Sequence, residues 1–98
     1  MQIKIHRTYR DIVAICDTEL LGKYFDEGKF QLDIKESFYR GEEVNEKELL
    51  NIIRDMIRED AIFNIVGEKS IKCIINAGII SKEATRKIAG IPFTLILL

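Results

Sequence analysis

Apolar and polar residues alternate at the start of the chain, a pattern that predicts two paired β-strands. Residues 2–6 read Gln-Ile-Lys-Ile-His, as in a strand with one buried face. A polar break at residues 7–10 and a largely apolar run at residues 11–16 follow, so we expect a hairpin in which Ile5 faces Ile12. Because the second run is apolar on both faces, we expect it in the interior of the sheet.

Two shorter patterns follow the predicted hairpin. Residues 17–22 read as one helical turn that Asp17 or Thr18 caps and Gly22 ends. Residues 29–35 alternate again and predict a third strand, with its apolar side chains on one face. The first third of the chain is therefore expected to supply three strands and one turn.

Two longer helices are predicted in the second half of the chain. Asn45 and Glu48 have the spacing of a capping box, in which each side chain bonds the backbone N–H of the other residue. The apolar residues that follow share one helical stripe: Leu49, Ile52, Ile53, Met56 and Ile57. A second helix is expected to open at Gly67 and to end at Gly78.

The remaining segments complete the predicted fold. Residues 62–66 fit either a short strand or a continuation of the first long helix, and Ser81 caps a further short turn. Residues 93–98 form an apolar run that predicts a buried terminal strand. We expect one α+β domain over residues 1–98, with a small, mostly antiparallel sheet covered by two main helices.

Composition limits the classes to which the protein can belong. Of its 98 residues, 47% are hydrophobic and 32% charged, with a formal charge of −1, which excludes strongly basic and disordered proteins. The sequence has no signal-like or membrane-spanning apolar segment, so we expect a cytoplasmic protein that does not enter membranes. Its eighteen isoleucines, with abundant Lys and Glu, favour a thermophilic source.

Charge is unevenly distributed along the chain. Residues 1–10 carry three bases and no acid, residues 11–60 carry fourteen acids and seven bases, and residues 61–98 carry five bases and two acids. The two basic ends would form one face if the terminal strands were neighbours. An ordinary solvated surface is the simpler interpretation of the same pattern.

The cysteines and the single histidine predict neither a metal centre nor a catalytic dyad. Cys16 and Cys73 are far apart in sequence and are expected to be buried thiols. With His6 they supply three scattered groups, fewer than a structural zinc site needs. His6 and Cys16 lie on opposite faces of the predicted hairpin, which excludes a local thiol–imidazole pair. We therefore predict no metal and no cofactor.

The segment Val-Gly-Glu-Lys-Ser at residues 66–70 resembles the end of a phosphate-binding loop. It lacks the required upstream glycine, and Glu68 separates Gly67 from Lys69. We exclude nucleoside triphosphate chemistry on this basis. A weaker expectation remains, in which the free amides of this helix start, with Lys69 and Ser70, hold an anion.

Two clusters combine aromatic and basic side chains, as RNA-binding surfaces do. Arg7, Tyr9 and Arg10 lie in the predicted hairpin loop, and Tyr39 and Arg40 precede a glycine. Arginine contacts phosphate, and an exposed aromatic ring stacks on an unpaired base. We therefore predict RNA contacts at Arg7, Tyr9, Arg10 and Arg40; a polar hairpin end is the alternative interpretation.

Short motifs along most of the chain resemble an archaeal family of small uncharacterised proteins, the domain of unknown function family 424. They are CDTELLGKYF at residues 16–25, FYRGE at 38–42, NIVGE at 64–68, NAGII at 76–80 and GIPF at 90–93. The resemblance implies an archaeal, cytoplasmic protein with a compact α+β fold. It implies no activity and no catalytic residues.

Four polar residues within these motifs form a second candidate site. Asp17, Lys23, Tyr39 and Asn64 would converge if the first turn packed near residues 64–67. Such a convergence would form a small-molecule site.

Three functions follow from the sequence. The first is a non-enzymatic module that binds RNA or a ribosome-associated protein, based on the clustered charge and the aromatic–basic groups. The second is a metabolite-binding protein or small enzyme that uses Asp17, Lys23 and Asn64, with Cys16 as a thiol. The third is a homodimer or protein-interaction subunit that covers an exposed strand edge.

Overall fold

Eight strands and three helices form the described chain, which comprises residues 1–97 of a computed structural model. The strands are β1 (Gln2–His6), β2 (Ile12–Cys16), β3 (Tyr24–Glu27), β4 (Phe30–Asp33), β5 (Glu42–Glu43), β6 (Ile62–Val66), β7 (Arg86–Ile88) and β8 (Ile91–Ile96). The helices are α1 (Glu36–Tyr39), α2 (Glu46–Arg58) and α3 (Glu68–Asn76), with 3-10 turns at Thr18–Leu20 and Lys82–Ala84. This architecture confirms the predicted α+β class.

Six of the strands form the main sheet, in the order β5-β1-β2-β6-β8-β7. Among residues 1–97, β2 and β6 are the only parallel neighbours, and every other pair is antiparallel. The predicted sheet, mostly antiparallel with the second strand in its interior, is confirmed. The carboxyl ends of β2 and β6 lie side by side, because Cys16 pairs with Val66.

The predicted register of the first hairpin is wrong by one residue. Ile5 pairs with Val13 rather than with Ile12, and Ile12 instead faces His6. The physical reason is that the loop holds five residues, from Arg7 to Asp11, one more than predicted. The shift places side chains such as Ile5 and Val13 on the same buried face.

Helices α2 and α3 cover one face of the main sheet. The predicted capping box is present at the start of α2, where Glu48 N–H donates to Asn45 Oδ1 at 2.8 Å and Asn45 N–H donates to Glu48 Oε1 at 3.0 Å. The largest side chains of this layer are fully buried: Ile15, Leu49, Ile53, Phe63, Ile65 and Ile74. This layer is the main hydrophobic core.

A second, smaller core lies on the opposite sheet face. It joins the end of β2 to the 3-10 turn and α1 and contains Ala14, Cys16, Leu20, Ile34, Tyr39 and Val66. The hairpin of β3 and β4 forms a separate two-stranded sheet that contacts β7. Strands β3 and β7 are both missing from the sequence prediction.

The second half of the chain contains the predicted second helix and terminal strand. Residues 62–66 are a strand rather than a helical continuation, and α3 begins directly after Gly67 as predicted. The predicted terminal strand is present as β8, although Leu98 lies outside the described residues. Strands β1 and β8 are not neighbours, so the basic ends do not meet through the terminal strands. Within the described chain, no helix is long and apolar enough to cross a membrane.

Candidate functional site

Asp17 lies at the carboxyl end of the parallel strand pair, where its carboxylate caps helix α3. Asp17 Oδ2 accepts from the Lys69 N–H at 3.0 Å, and Asp17 Oδ1 accepts from the Ser70 N–H at 2.8 Å and from Ser70 Oγ at 2.7 Å. The residue is only 4% exposed. A helix N-terminus favours a negative charge in this position. The amides that the sequence analysis assigned to an external anion therefore bind the chain's own carboxylate.

Gly67 makes this close approach geometrically feasible. Its φ of 112° belongs to a region that side chains disfavour. A Cβ added at Gly67 would lie 2.5 and 2.6 Å from the two carboxylate oxygens of Asp17. Asp17 and Gly67 are therefore one structural unit that joins β2 to the start of α3.

Cys16 and Tyr39 are buried in the smaller core, away from solvent. Burial, reinforced by the neighbouring Asp17 carboxylate, raises the pKa of the Cys16 thiol to about 12. Burial likewise raises the pKa of Tyr39 to about 12. Both groups remain protonated at neutral pH, which opposes the use of Cys16 as a nucleophile.

The other two residues of the predicted metabolite site lie in different settings. Lys23 is exposed, and its backbone pairs with Leu20 and Ile34. Asn64 is half-buried in the middle of β6, between Ala14 of β2 and Leu95 of β8. The four residues of the predicted site are therefore a buried carboxylate bonded to α3, a buried phenol, an exposed cation and a half-buried amide on β6.

We expect both cysteines to resist alkylation in the folded protein. Burial also raises the pKa of Cys73, to about 11, with a further contribution from the nearby Glu46 carboxylate. At pH 8 the raised pKa alone should slow the reaction of Cys16 with iodoacetamide about a thousandfold relative to an ordinary thiol. Mass spectrometry of timed samples, with and without denaturant, measures this. Rapid labelling of native Cys16 would revive the thiol-enzyme hypothesis.

Glu43 anchors the edge of the main sheet. Hydrogen bonds from the Met1 amino group, Thr18 and Gln2 lower the pKa of this exposed carboxyl to about 2. The Met1 amino nitrogen lies 2.7 Å from Glu43 Oε2. These contacts hold the two-residue strand β5 against β1.

The basic residues of the first hairpin loop lie among acids. Arg7 pairs with Asp11, and Arg10 Nε donates to the backbone oxygen of Asp60 at 2.6 Å. Tyr9 is fully exposed beside them. The adjoining hollow, of about 620 Å³, is lined by Tyr9, Arg10, Asp11, Glu59 and Asp60. Three carboxylates against one guanidinium make this hollow unfavourable for phosphate.

The second predicted RNA cluster is also engaged within the protein. Arg40 forms an ion pair with Glu36, one turn earlier in α1. The ring of Phe38 stacks on His6, with centroids 4.6 Å apart, and His6 Nε2 contacts the Phe38 backbone oxygen at 2.8 Å. The two contacts between His6 and Phe38 fasten α1 to β1.

A different basic surface lies between α3 and the β7–β8 hairpin. Three lysines, Lys72, Lys82 and Lys87, surround a cavity of about 200 Å³. Its other lining residues are Glu68, Ile71, Ile75, Thr85 and Pro92. Within residues 1–97, none of these three lysines has a carboxylate within 4.0 Å. We call this surface the lysine groove.

A second cavity adjoins the lysine groove at the other side of β7. It encloses about 390 Å³ and is lined by Glu27, Phe30, Arg86, Lys87, Ile88 and Phe93. The tight turn that joins β7 to β8 lies at Ala89 and Gly90, which both have positive φ. Glu27 Oε1 accepts from the Ala89 N–H at 2.9 Å and so holds the β3–β4 hairpin against this turn. We call this cavity the phenyl pocket.

Neither surface was predicted from the sequence, although one signal for the groove was present. The excess of three positive charges in residues 61–98 arises in the segment that forms the lysine groove. The phenyl pocket had no such signal, because it depends on β3 and β7. Neither strand was predicted.

Comparison with known proteins agrees with the fold. A family model described as "Protein of unknown function (DUF424)" matches residues 5–98. The chain belongs to the DUF424 family. The crystal structure of an uncharacterized conserved protein from Methanopyrus kandleri is similar to this DUF424 chain, with a TM-score of 0.86 and 25% identity. The match covers 97% of this chain and 88% of that one, and no curated protein matches in sequence.

Proposed function

We propose that this DUF424 chain is a non-enzymatic RNA-binding module whose lysine groove contacts the phosphate backbone. The observation that carries the proposal is the set of three lysines, Lys72, Lys82 and Lys87, around one groove with no carboxylate paired to them in residues 1–97. Unpaired lysines that contact phosphates displace the counterions condensed on the nucleic acid, and this release is a major source of its affinity for proteins.

The charge distribution supports this choice of surface. The chain has a net charge of −1, so attraction for a polyanion must come from a local patch. In the hairpin loop, Arg7 is already paired with Asp11, and binding phosphate there would require that ion pair to open. The groove lysines need no such rearrangement. Arg7, Tyr9, Arg10 and Arg40 therefore remain a rival surface in the test below.

The reactive groups of the chain favour binding over catalysis. The enzyme hypothesis depended on Asp17, Lys23 and Asn64, with Cys16 as a thiol, and both Asp17 and Cys16 are buried. The Asp17 carboxylate is bonded to α3, and the Cys16 thiol has a raised pKa. Catalysis requires such groups to reach a substrate.

Replacing the three groove lysines by glutamine should weaken binding to single-stranded RNA and make it less sensitive to salt. Three lost phosphate contacts should reduce the slope of log K against log salt by about 2, which corresponds to roughly a hundredfold weaker binding at 0.1 M salt. Fluorescence anisotropy with a labelled RNA oligonucleotide across a salt series measures both quantities.

The matched control removes the same charge elsewhere. The K47Q/R54Q/R58Q variant changes three exposed cations of α2, and its binding should be nearly that of the wild type. Equal losses in both triple variants would show that only net charge matters. A loss confined to R7Q/R10Q would move the interface to the hairpin loop, and absence of RNA binding at low salt would reject the proposal. Salt-resistant binding to ribosomal particles alone would indicate a protein partner instead.

A further inference from the structure

We propose that the phenyl pocket receives one unpaired base of the bound RNA. This inference rests on the proposed function and specifies its ligand as a single strand. The pocket joins two phenyl rings, Phe30 and Phe93, to two cations, Arg86 and Lys87. Aromatic rings that stack a base, beside cations that bind its phosphates, are the shared features of sites for single-stranded nucleic acid.

Phe30 supplies an exposed aromatic ring to the pocket. Its side chain is 65% exposed and lies on a short strand of the two-stranded sheet. Phe93, by contrast, is half-buried against the smaller core. The pocket thus has one half-buried ring and one exposed ring, and the buried Ile88 also lines it.

The size of the pocket suits a planar heterocycle. Its volume of about 390 Å³ lies within the range of about 300–1,000 Å³ for small-molecule sites. The Glu27 carboxylate on its rim is held by the Ala89 N–H. Arg86 and Lys87 offset the charge of Glu27, so the rim as a whole is cationic and complements a phosphodiester.

The pocket and the lysine groove lie on opposite faces of the edge strand β7 and meet at Lys87. Lys87 lines both cavities. Along β7, Lys87 pairs with Pro92, a groove residue, and Arg86 pairs with Phe93, a pocket residue. An RNA strand that passes over the edge at β7 can therefore place its phosphates along the groove while one of its bases enters the pocket. In a duplex every base is already stacked and paired, so this arrangement selects single strands.

The absence of tryptophan from the sequence allows a direct test with the full chain. In the F30W variant the single indole should be quenched when an oligoadenylate binds, because a base stacks on it. The Y24W variant places the indole at another exposed aromatic position of the same hairpin, outside the pocket, and its fluorescence should not change. Because Phe30 and Tyr24 are exposed, both variants should fold as the wild type does, which thermal unfolding checks.

The F30A variant provides the affinity measurement. Loss of one stacking partner should weaken oligoadenylate binding about tenfold, with the salt slope unchanged. Binding to an RNA duplex, which inserts no base, should be the same in F30A and the wild type. This pattern separates a stacking contact from the phosphate contacts of the groove lysines.

The outcomes distinguish this inference from the proposed function. If RNA binding depends on the groove lysines but F30W is not quenched and F30A binds normally, the base pocket is rejected and the RNA-binding function stands. Equal quenching of F30W and Y24W, or equal losses of single-strand and duplex binding in F30A, would also reject the pocket. If no variant or wild-type protein binds RNA at low salt, both proposals fail.

Discussion

Replacing Asp17 by alanine should lower the free energy of unfolding by about 3 kcal/mol. The substitution removes an N-terminal helix cap, which is worth about 1 kcal/mol, and leaves the buried donors of Ser70 without an acceptor, which costs about 2 kcal/mol more. Urea denaturation followed by circular dichroism gives the free energy directly. A destabilisation of this size would mark Asp17 as the link between β2 and α3.

The control for Asp17 lies two residues further along the chain. Glu19 is exposed and forms a surface ion pair with Lys69 at 3.2 Å, so Glu19→Ala should change stability by less than about 0.5 kcal/mol. Asp17→Asn, which keeps one acceptor oxygen, should fall between Asp17→Ala and the wild type. A folded Asp17→Ala protein of unchanged stability that has lost ligand binding would instead support the metabolite site of Asp17, Lys23, Tyr39 and Asn64.

Gly67→Ala should destabilise the protein by about 4 kcal/mol. The new Cβ would lie within 2.6 Å of both Asp17 carboxylate oxygens, and the φ of 112° adds backbone strain. The same denaturation experiment measures the loss. Near-wild-type stability would show that the junction between β6 and α3 can shift to accept a side chain, contrary to the geometry described above.

Two comparisons separate the steric clash from the backbone strain. Gly78 also has a positive φ, of 74°, but a Cβ there meets no atom within 4 Å, so Gly78→Ala should cost only about 1 kcal/mol. In the double variant D17A/G67A the carboxylate that clashes is absent. The loss of stability should therefore be clearly smaller than the sum of the two single losses.

Local patterns in the sequence identify the elements whose signals lie close together in the chain. Asn45 and Glu48 are three residues apart, so the capping box and helix α2 could be read directly. Alternation over residues 2–6 and 29–35 likewise locates β1 and β4. Strand β7 has only three residues, too few for a period to register, and it closes through a turn with Ala89 rather than the usual asparagine at a positive φ.

Features that depend on tertiary contacts could not be read in this way. Asp17 or Thr18 was expected to cap the first helical turn, yet the Asp17 side chain bonds Ser70, 53 residues away. The hairpin register also escaped prediction, because β2 is apolar on both faces and Ile5 can meet an apolar partner at either Ile12 or Val13. The partner of Asp17 and the register of the hairpin both depend on contacts between segments, which only the folded structure shows.

The candidate RNA interface likewise combines a feature visible in the sequence with contacts that only the fold shows. Arg7 and Arg10 were prominent because they are close in sequence, but in the folded chain Arg7 pairs with Asp11, and Arg10 donates to the backbone oxygen of the distant Asp60. The lysines of the groove come from a helix, a turn and a strand, and their separation in sequence hid them. Charge counted along a chain locates a basic region, whereas only the folded arrangement shows which bases keep acidic neighbours.

The cap that Asp17 supplies to helix α3 has a consequence for how the chain folds. A helix of nine residues is too short to persist alone in water, and α3 receives its N-terminal acceptor from the first fifth of the chain. We expect α3 to become stable only after β2 and β6 have paired, a step that must close a loop of about fifty residues. During synthesis, β2 therefore leaves the ribosome early, but the main core cannot form until residues 62–70 have also emerged.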